Sequence, residues 1–330
     1  SYGECNYIND YIQSGEGNID TIMTCFNFWT WRTEEVKNLI LWMKEFNQKN
    51  EEKLNFYGFD MQSVSEPIKY LAYFFRNDTS NYVQELNKIL APIRSKSEKE
   101  LGKVYKDGNL KFKDTLNVVS TDLKIWFSNY EDALIDNYSI EKLKKLKLNL
   151  TTYNQSLDYY SKGVKHRDSC MASNVVEIQK MENEKMFLWA HNGHVNKSSS
   201  KYSQIKWMGE YINEQLKFKY YAVGFVFSRG SFQSHVPSKK SNYKFKVSTL
   251  SKYRNNTFTK PLYKLNDEQF FIDLRRSNNT LFTNLNKAYR IGSVFINKKK
   301  SSFPIIAKEQ FDGIIYVRNT VSATPVENND

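Results

Sequence analysis

Lys185-Met186-Phe187-Leu188-Trp189-Ala190 is apolar after its first residue and runs directly into His191-Asn192-Gly193-His194. A short unbroken apolar run reads as a buried strand of a parallel sheet. A polar cluster just beyond such a strand marks the edge where open α/β sheets bind ligands. The same rhythm recurs earlier. Thr33, Glu34 and Glu35 cap a helix over 33–47 whose apolar face carries Val36, Leu39, Ile40 and Met43. After a polar break, Lys53-Leu-Asn-Phe-Tyr-Gly-Phe-Asp60 reads as a short strand ending in an acid, with Gln62 beyond it. It recurs later too. A helix over 208–216 leads into a buried strand over 220–227, followed by Ser228, Arg229 and Gly230. Tyr243, Phe245 and Val247 alternate with Lys244, Lys246 and Ser248 as in a half-exposed strand, and 270–274 and 313–317 read as further strands.

From 65 to about 184 the period changes. Leu116, Val119, Leu123, Trp126, Phe127 and Tyr130 recur at helical spacing, and Tyr153, Leu157, Tyr160 and Val164 continue the pattern. Polar breaks at 94–109 and 136–138 divide this stretch into several helices. The expected fold class is therefore α/β, a mostly parallel central sheet flanked by helices with an inserted helical subdomain. Residues 1–64 and 185–330 would form the α/β domain and 65–184 the insertion.

Composition narrows the function classes. The 330 residues are 40% hydrophobic and 25% charged, which excludes a disordered chain. Aromatics reach 15%, enough for a large core or ring-lined pockets. The net charge of +12 is spread along the chain, with only short clusters such as Lys298-Lys299-Lys300, and no nucleic-acid-binding motif accompanies it. No nucleic-acid or membrane partner is expected, since no apolar run approaches the ~20 residues of a membrane span. Three cysteines at Cys5, Cys25 and Cys170 have no metal-like spacing. They fit a reducing, cytoplasmic compartment better than a disulfide scaffold.

His191-x-x-His194 is the most specific candidate, with Gly193 permitting a tight turn. One reading makes an imidazole a general acid or base, since its ordinary pKa lies near neutral pH. The pair also suits a metal, although no third ligand is evident. A histidine satisfied by backbone is the plain structural alternative. Arg167-Asp168 offers either an anion-holding arginine or a solvated ion pair. Trp29, Trp31 and Arg32 read as pocket walls or as aromatic packing under a loop. Glu4, so near the start of the sequence, would by itself read as part of a frayed end.

Several segments together resemble one family. Phe28-Trp-Thr-Trp-Arg-Thr-Glu-Glu35, Phe56-Tyr-Gly-Phe-Asp-Met-Gln62, Arg167-Asp-Ser-Cys-Met-Ala-Ser-Asn174 and Trp189-Ala-His-Asn-Gly-His-Val195 look like the erythromycin esterase family. Met208-Gly209, Tyr221–Phe225, Gly230-Ser-Phe232, Asp312–Tyr316 and Thr320–Pro325 follow in the same order. The resemblance implies hydrolysis of a macrolactone or other carboxylic ester, and with it macrolide resistance. A histidine would remove a proton from water, with no cofactor and no required metal. It implies catalytic roles for Glu4, His194, Arg167 and His191, and substrate binding by Trp29, Trp31, Arg32, Asp60 and Asn192. The partner it implies is a small-molecule ester such as a macrolide.

One departure stands out. The family's Gly-Glu-x-x-His-Gly segment, which carries its water-activating histidine, has no counterpart in this sequence. The expectation is a fragment of a longer product, with a non-catalytic binding protein or inactive homologue as the alternative.

Overall fold

The computed structural model describes residues 1–101, 110–198, 205–237, 243–251 and 257–326. Part of the polar break expected at 94–109 lies outside the described residues. By packing, the chain divides into two compact units: Ser1–Arg32 with Val36–Met186, and Thr33–Glu35 with Phe187–Asp330. Residues 1–32 and 36–64 thus fall in the same unit as the helical region.

The first unit is built of helices. They are α1 (Tyr2–Ser14), α2 (Ile19–Thr24), α3 (Glu34–Lys49), α4 (Ser65–Phe74), α5 (Asn81–Leu90), α6 (Leu110–Asn129), α7 (Glu131–Tyr138), α8 (Ile140–Lys162) and α9 (Val164–Glu182). Helix α8 is the spine, packing on α4, α6, α7 and α9. Leu71, Phe75, Leu116, Leu123, Trp126 and Tyr153 are fully buried in the cluster that joins them. Trp126 keeps its indole N–H satisfied by donating to the Tyr82 carbonyl at 2.7 Å, which lets so large a ring sit in the core.

The segment 53–60 is extended but belongs to no strand. Side-chain amides take the place of a neighbouring strand. Asn47 and Asn9 accept from the amides of Leu54 and Phe56 at 2.7 and 2.8 Å. Gln13 and Asn174 donate to the carbonyls of Leu54 and Phe59 at 2.7 and 2.9 Å. The backbone polar groups are thereby satisfied without a ladder.

The second unit holds the sheet. Its elements are α10 (Asn192–Val195), α11 (Met208–Leu216), β1 (Val223–Pro237), β2 (Tyr243–Leu250), α12 (Thr259–Tyr263), β3 (Gln269–Asp273), α13 (Thr280–Thr283), β4 (Asn286–Tyr289), β5 (Ser302–Ile305), α14 (Ala307–Gln310) and β6 (Gly313–Thr320). The four-stranded sheet runs β2-β1-β6-β3, and β4 pairs with β5 separately. The architecture is α/β, but the sheet is mixed. Only β1–β6 is parallel; β1–β2, β3–β6 and β4–β5 are antiparallel.

Two expectations need correction here. The strand read over 220–227 does not stop at Ser228. It continues to Pro237, with Ser228 fully buried and its hydroxyl 2.9 Å from that of Tyr316. The decisive strand over 185–190 is no strand: it is extended, joins no sheet among the described residues and is open to solvent, with Phe187 89% exposed. Apolar, β-prone composition makes a segment fit a sheet, but a strand exists only when a partner completes its ladder.

Candidate functional site

Within the first unit, the candidates gather where α1 begins. The Tyr2 amide donates to the Asp60 carbonyl at 2.9 Å, so the helix starts against the end of the 53–60 segment. This docking buries Glu4, which is 1% exposed rather than frayed. The Glu4 carboxylate accepts from the Ser1 nitrogen at 3.0 Å, from the Ser1 hydroxyl at 3.1 Å and from the Asn27 carboxamide at 2.6 Å.

Arg167, on the first turns of α9, makes a two-pronged contact with Asp60. Its Nε donates to Oδ1 at 3.1 Å and its Nη2 to Oδ2 at 2.7 Å. Asp60 also accepts from the Met61 amide at 2.8 Å and the Gln62 carboxamide at 2.9 Å. Burial opposes charge on Asp60, yet the hydrogen bonds and charge of Arg167 hold its carboxyl below the usual range. Asp60 is therefore a saturated anion, occupied by its own protein.

Arg32 is likewise committed locally, donating to the carbonyls of Phe26 at 2.5 Å and Thr24 at 3.1 Å. This ties down the loop before the 3₁₀ turn Trp29–Trp31, on which both tryptophans are part-buried. One contact in this unit was not anticipated. His166 lies 3.4 Å through Nε2 from Cys170 Sγ, one helical turn away. Burial pushes the Cys170 thiol up to about 11, so it is no activated nucleophile at neutral pH.

In the second unit, His191 is the N-cap of α10. Its Nδ1 accepts from the Gly193 amide at 3.0 Å, and its Nε2 faces the Ile291 carbonyl at 3.0 Å. The carbonyl can only accept, which fixes the proton on Nε2 and leaves Nδ1 as acceptor. Desolvation, with the nearby His194 and Arg290 adding to it, pushes the pKa of His191 down to about 4. The ring is neutral at pH 7, with both nitrogens engaged. Gly193 leaves room at this turn, where a Cβ would press on His191 Nδ1 at 3.1 Å.

His194 follows on the same turn, its ring edge-on to Trp207 with centroids 5.5 Å apart. Asn192 is engaged by main chain. Its carboxamide donates to the Phe225 carbonyl at 2.6 Å and accepts from the Phe225 amide at 3.0 Å. One asparagine thus imitates a neighbouring strand along β1.

Asn192 and Gly193 also line a cavity of about 200 Å³, together with Trp207, Arg290, Phe303 and Gln310. Sequence reasoning missed Arg290. The available signal was a lone cation just after the apolar Ala288-Tyr289. Among the described residues no group of three or more His, Cys, Asp or Glu side chains is placed to hold a metal ion. No helix among them is long and apolar enough to cross a membrane.

Comparison with known proteins agrees with this architecture. The chain is 23% identical to the putative hydrolase YbfO of Bacillus subtilis, over 88% of this chain and 68% of that protein. A solved structure described as a succinoglycan biosynthesis protein superposes with a TM-score of 0.78 at 20% identity, covering 99% of this chain and 79% of the other. A mutant of the erythromycin esterase EreC in its open conformation gives 0.65 at 17% identity, covering 99% and 82%. The profile of the family described as erythromycin esterase matches residues 1–320, and the chain belongs to that family.

Proposed function

We propose that the chain serves hydrolysis of a carboxylic ester, with His194 handling the proton of the attacking water. The observation that supports this choice is the committed state of His191. His191 has both nitrogens engaged by main chain, Nδ1 by Gly193 and Nε2 by Ile291, and is neutral, so it acts as a positioning residue. His194 is the imidazole assigned to proton transfer, a role worth roughly 10²–10⁴ in rate.

In this scheme water oxygen bonds to the ester carbonyl carbon while its proton passes to His194. The tetrahedral oxyanion then collapses and the C–O bond to the alcohol breaks. The alkoxide takes a proton as it leaves, giving one acid and one alcohol. For Arg167, held by Asp60, and for the buried Glu4 we keep the roles that the family resemblance implies, stabilisation of the oxyanion and support of proton transfer. Trp29, Trp31 and Arg32 would serve substrate binding through the loop they stiffen. A macrolactone is the substrate class we favour, and turnover of it would amount to macrolide resistance.

The test is mass spectrometry of erythromycin incubated with the full-length gene product, read as gain of one water. His194→Ala should lower the rate by about 10²-fold or more. His194→Ala with unchanged turnover would sink the assignment. The saturated Asp60–Arg167 pair also suits a non-catalytic binding protein; a macrolide that binds but is never consumed would favour that reading.

A further inference from the structure

The cavity beside α10 contains a cation that the fold does not neutralise. Arg290 leaves the end of β4 with its guanidinium 3.8 Å over the Phe303 ring. Among the described residues no carboxylate pairs with it and none accepts a hydrogen bond from it. Burial alone pushes its pKa below the ordinary guanidinium range. A partly desolvated cation without an anion is costly unless something supplies the charge.

The surroundings say what that something is. Gln310, on the same cavity wall, has a carboxamide with no hydrogen-bond partner among the described residues. The rest of the lining is divided: Phe303, Pro304, Ile305 and Phe311 form an apolar wall, while Asn192, Asn196 and Ser198 are polar. One planar fork of donors matches the two oxygens of a carboxylate. A single positive charge balances a monoanion and leaves a phosphate dianion under-compensated. The cavity, at about 200 Å³, exceeds the ~150 Å³ that suffices for a benzene-sized guest.

We propose that this cavity binds a small carboxylate with an apolar body, its two oxygens held by Arg290 and its ring or chain lying among Phe303, Pro304 and Ile305. The Gln310 carboxamide donates to the same carboxylate. The site stands independently of ester cleavage, since it requires only binding.

Isothermal titration calorimetry of the unmodified chain with benzoate and with its neutral isostere benzamide tests this directly. Benzoate should bind about 10-fold or more tightly than benzamide, the discrimination expected of a charge-assisted bidentate pair. Arg290→Gln, which keeps size and hydrogen-bonding capacity but loses the charge, should bring the two ligands to within about 2-fold of each other. Equal binding of benzoate and benzamide, or no benzoate binding at millimolar concentration, overturns the proposal without recourse to any variant. Benzoate affinity unchanged in Arg290→Gln overturns it as well.

Discussion

Arg167 and Arg290 are both part-buried arginines, and they are treated in opposite ways. Arg167 meets Asp60 through two parallel hydrogen bonds, and the remaining acceptor positions of Asp60 are filled by Met61 and Gln62. Arg290 has an aromatic ring beneath it and no anion beside it. The chemistry of the side chain is the same, so the difference lies in what the fold provides. A cation neutralised inside its own unit is part of the architecture. One that is left uncompensated in a cavity is an invitation to a ligand.

The largest effect should come from breaking the closed pair. Asp60→Ala leaves Arg167 with only part of its environment and no carboxylate opposite its fork. Removing one partner of a buried pair costs about 3–5 kcal/mol. Because the pair here keeps some solvent contact, with side chains 19% and 18% exposed, the lower end is expected. Urea denaturation measures it, and a loss under about 1 kcal/mol would show that Asp60 is not the counter-charge on which Arg167 depends.

Acid titration separates the closed pair from the histidine turn. His191 titrates at about 4 in the folded protein against an ordinary 6.5. Below 6.5 the unfolded chain takes the proton more readily, so its contribution is complete above 6.5 and lost as pH falls toward 4. Asp60 is held below its ordinary 3.8, so its contribution is complete above 3.8 and lost only under stronger acid. Thermal melts from pH 7 down should therefore show a first decline between about 6.5 and 4, and His191→Gln should flatten that decline alone. A decline of undiminished size in His191→Gln would remove His191 from the explanation.

Much of this molecule was legible before its structure was known, and the failures share a cause. Helix α3, α11 and the strands at 243–250, 269–273 and 313–320 follow from short-range periodicity, which a sequence displays directly. Helix α1 carries the same kind of signal in Cys5, Ile8, Tyr11 and Ile12, all buried, although a segment at the start of a sequence reads by default as frayed. The 53–60 and 185–190 segments have strand composition without strand pairing, because a ladder depends on residues far away in sequence. Glu4 gained a role only through resemblance, the residues alone left Arg167-Asp168 open between an anion-holding arginine and a solvated pair, and nothing local announced that Asp60 would occupy Arg167. Arg290 escaped for the same reason: its lack of a partner is a property of three-dimensional packing.

Asn192 lies between the two extremes, a polar side chain spent on main chain rather than on charge. Its two hydrogen bonds to Phe225 satisfy the edge of β1 at one residue. Asn192→Ala should cost about 1–2 kcal/mol, since both backbone groups lose their partner but regain access to water. Hydrogen exchange at the Phe225 amide should accelerate while that at Ile314, inside the β1–β6 ladder, keeps its relative protection. Uniform acceleration at both sites would mean that Asn192 supports the whole sheet rather than its edge.

The smallest effect is expected at Arg290, and its smallness is the informative part. Arg290→Leu removes a cation that burial already disfavours, and replaces it with a side chain suited to Phe303, Pro304 and Ile305. The lost contact with the Phe303 ring opposes this, at about 0.5–1 kcal/mol for such a cation–ring pair. The two effects offset, so stability should change by less than about 1 kcal/mol in either direction. Asp60→Ala and Arg290→Leu in the same urea series thus set a neutralised arginine against an uncompensated one. If Arg290→Leu instead costs as much as Asp60→Ala, the fold does neutralise Arg290, and the cavity loses its reason to bind an anion.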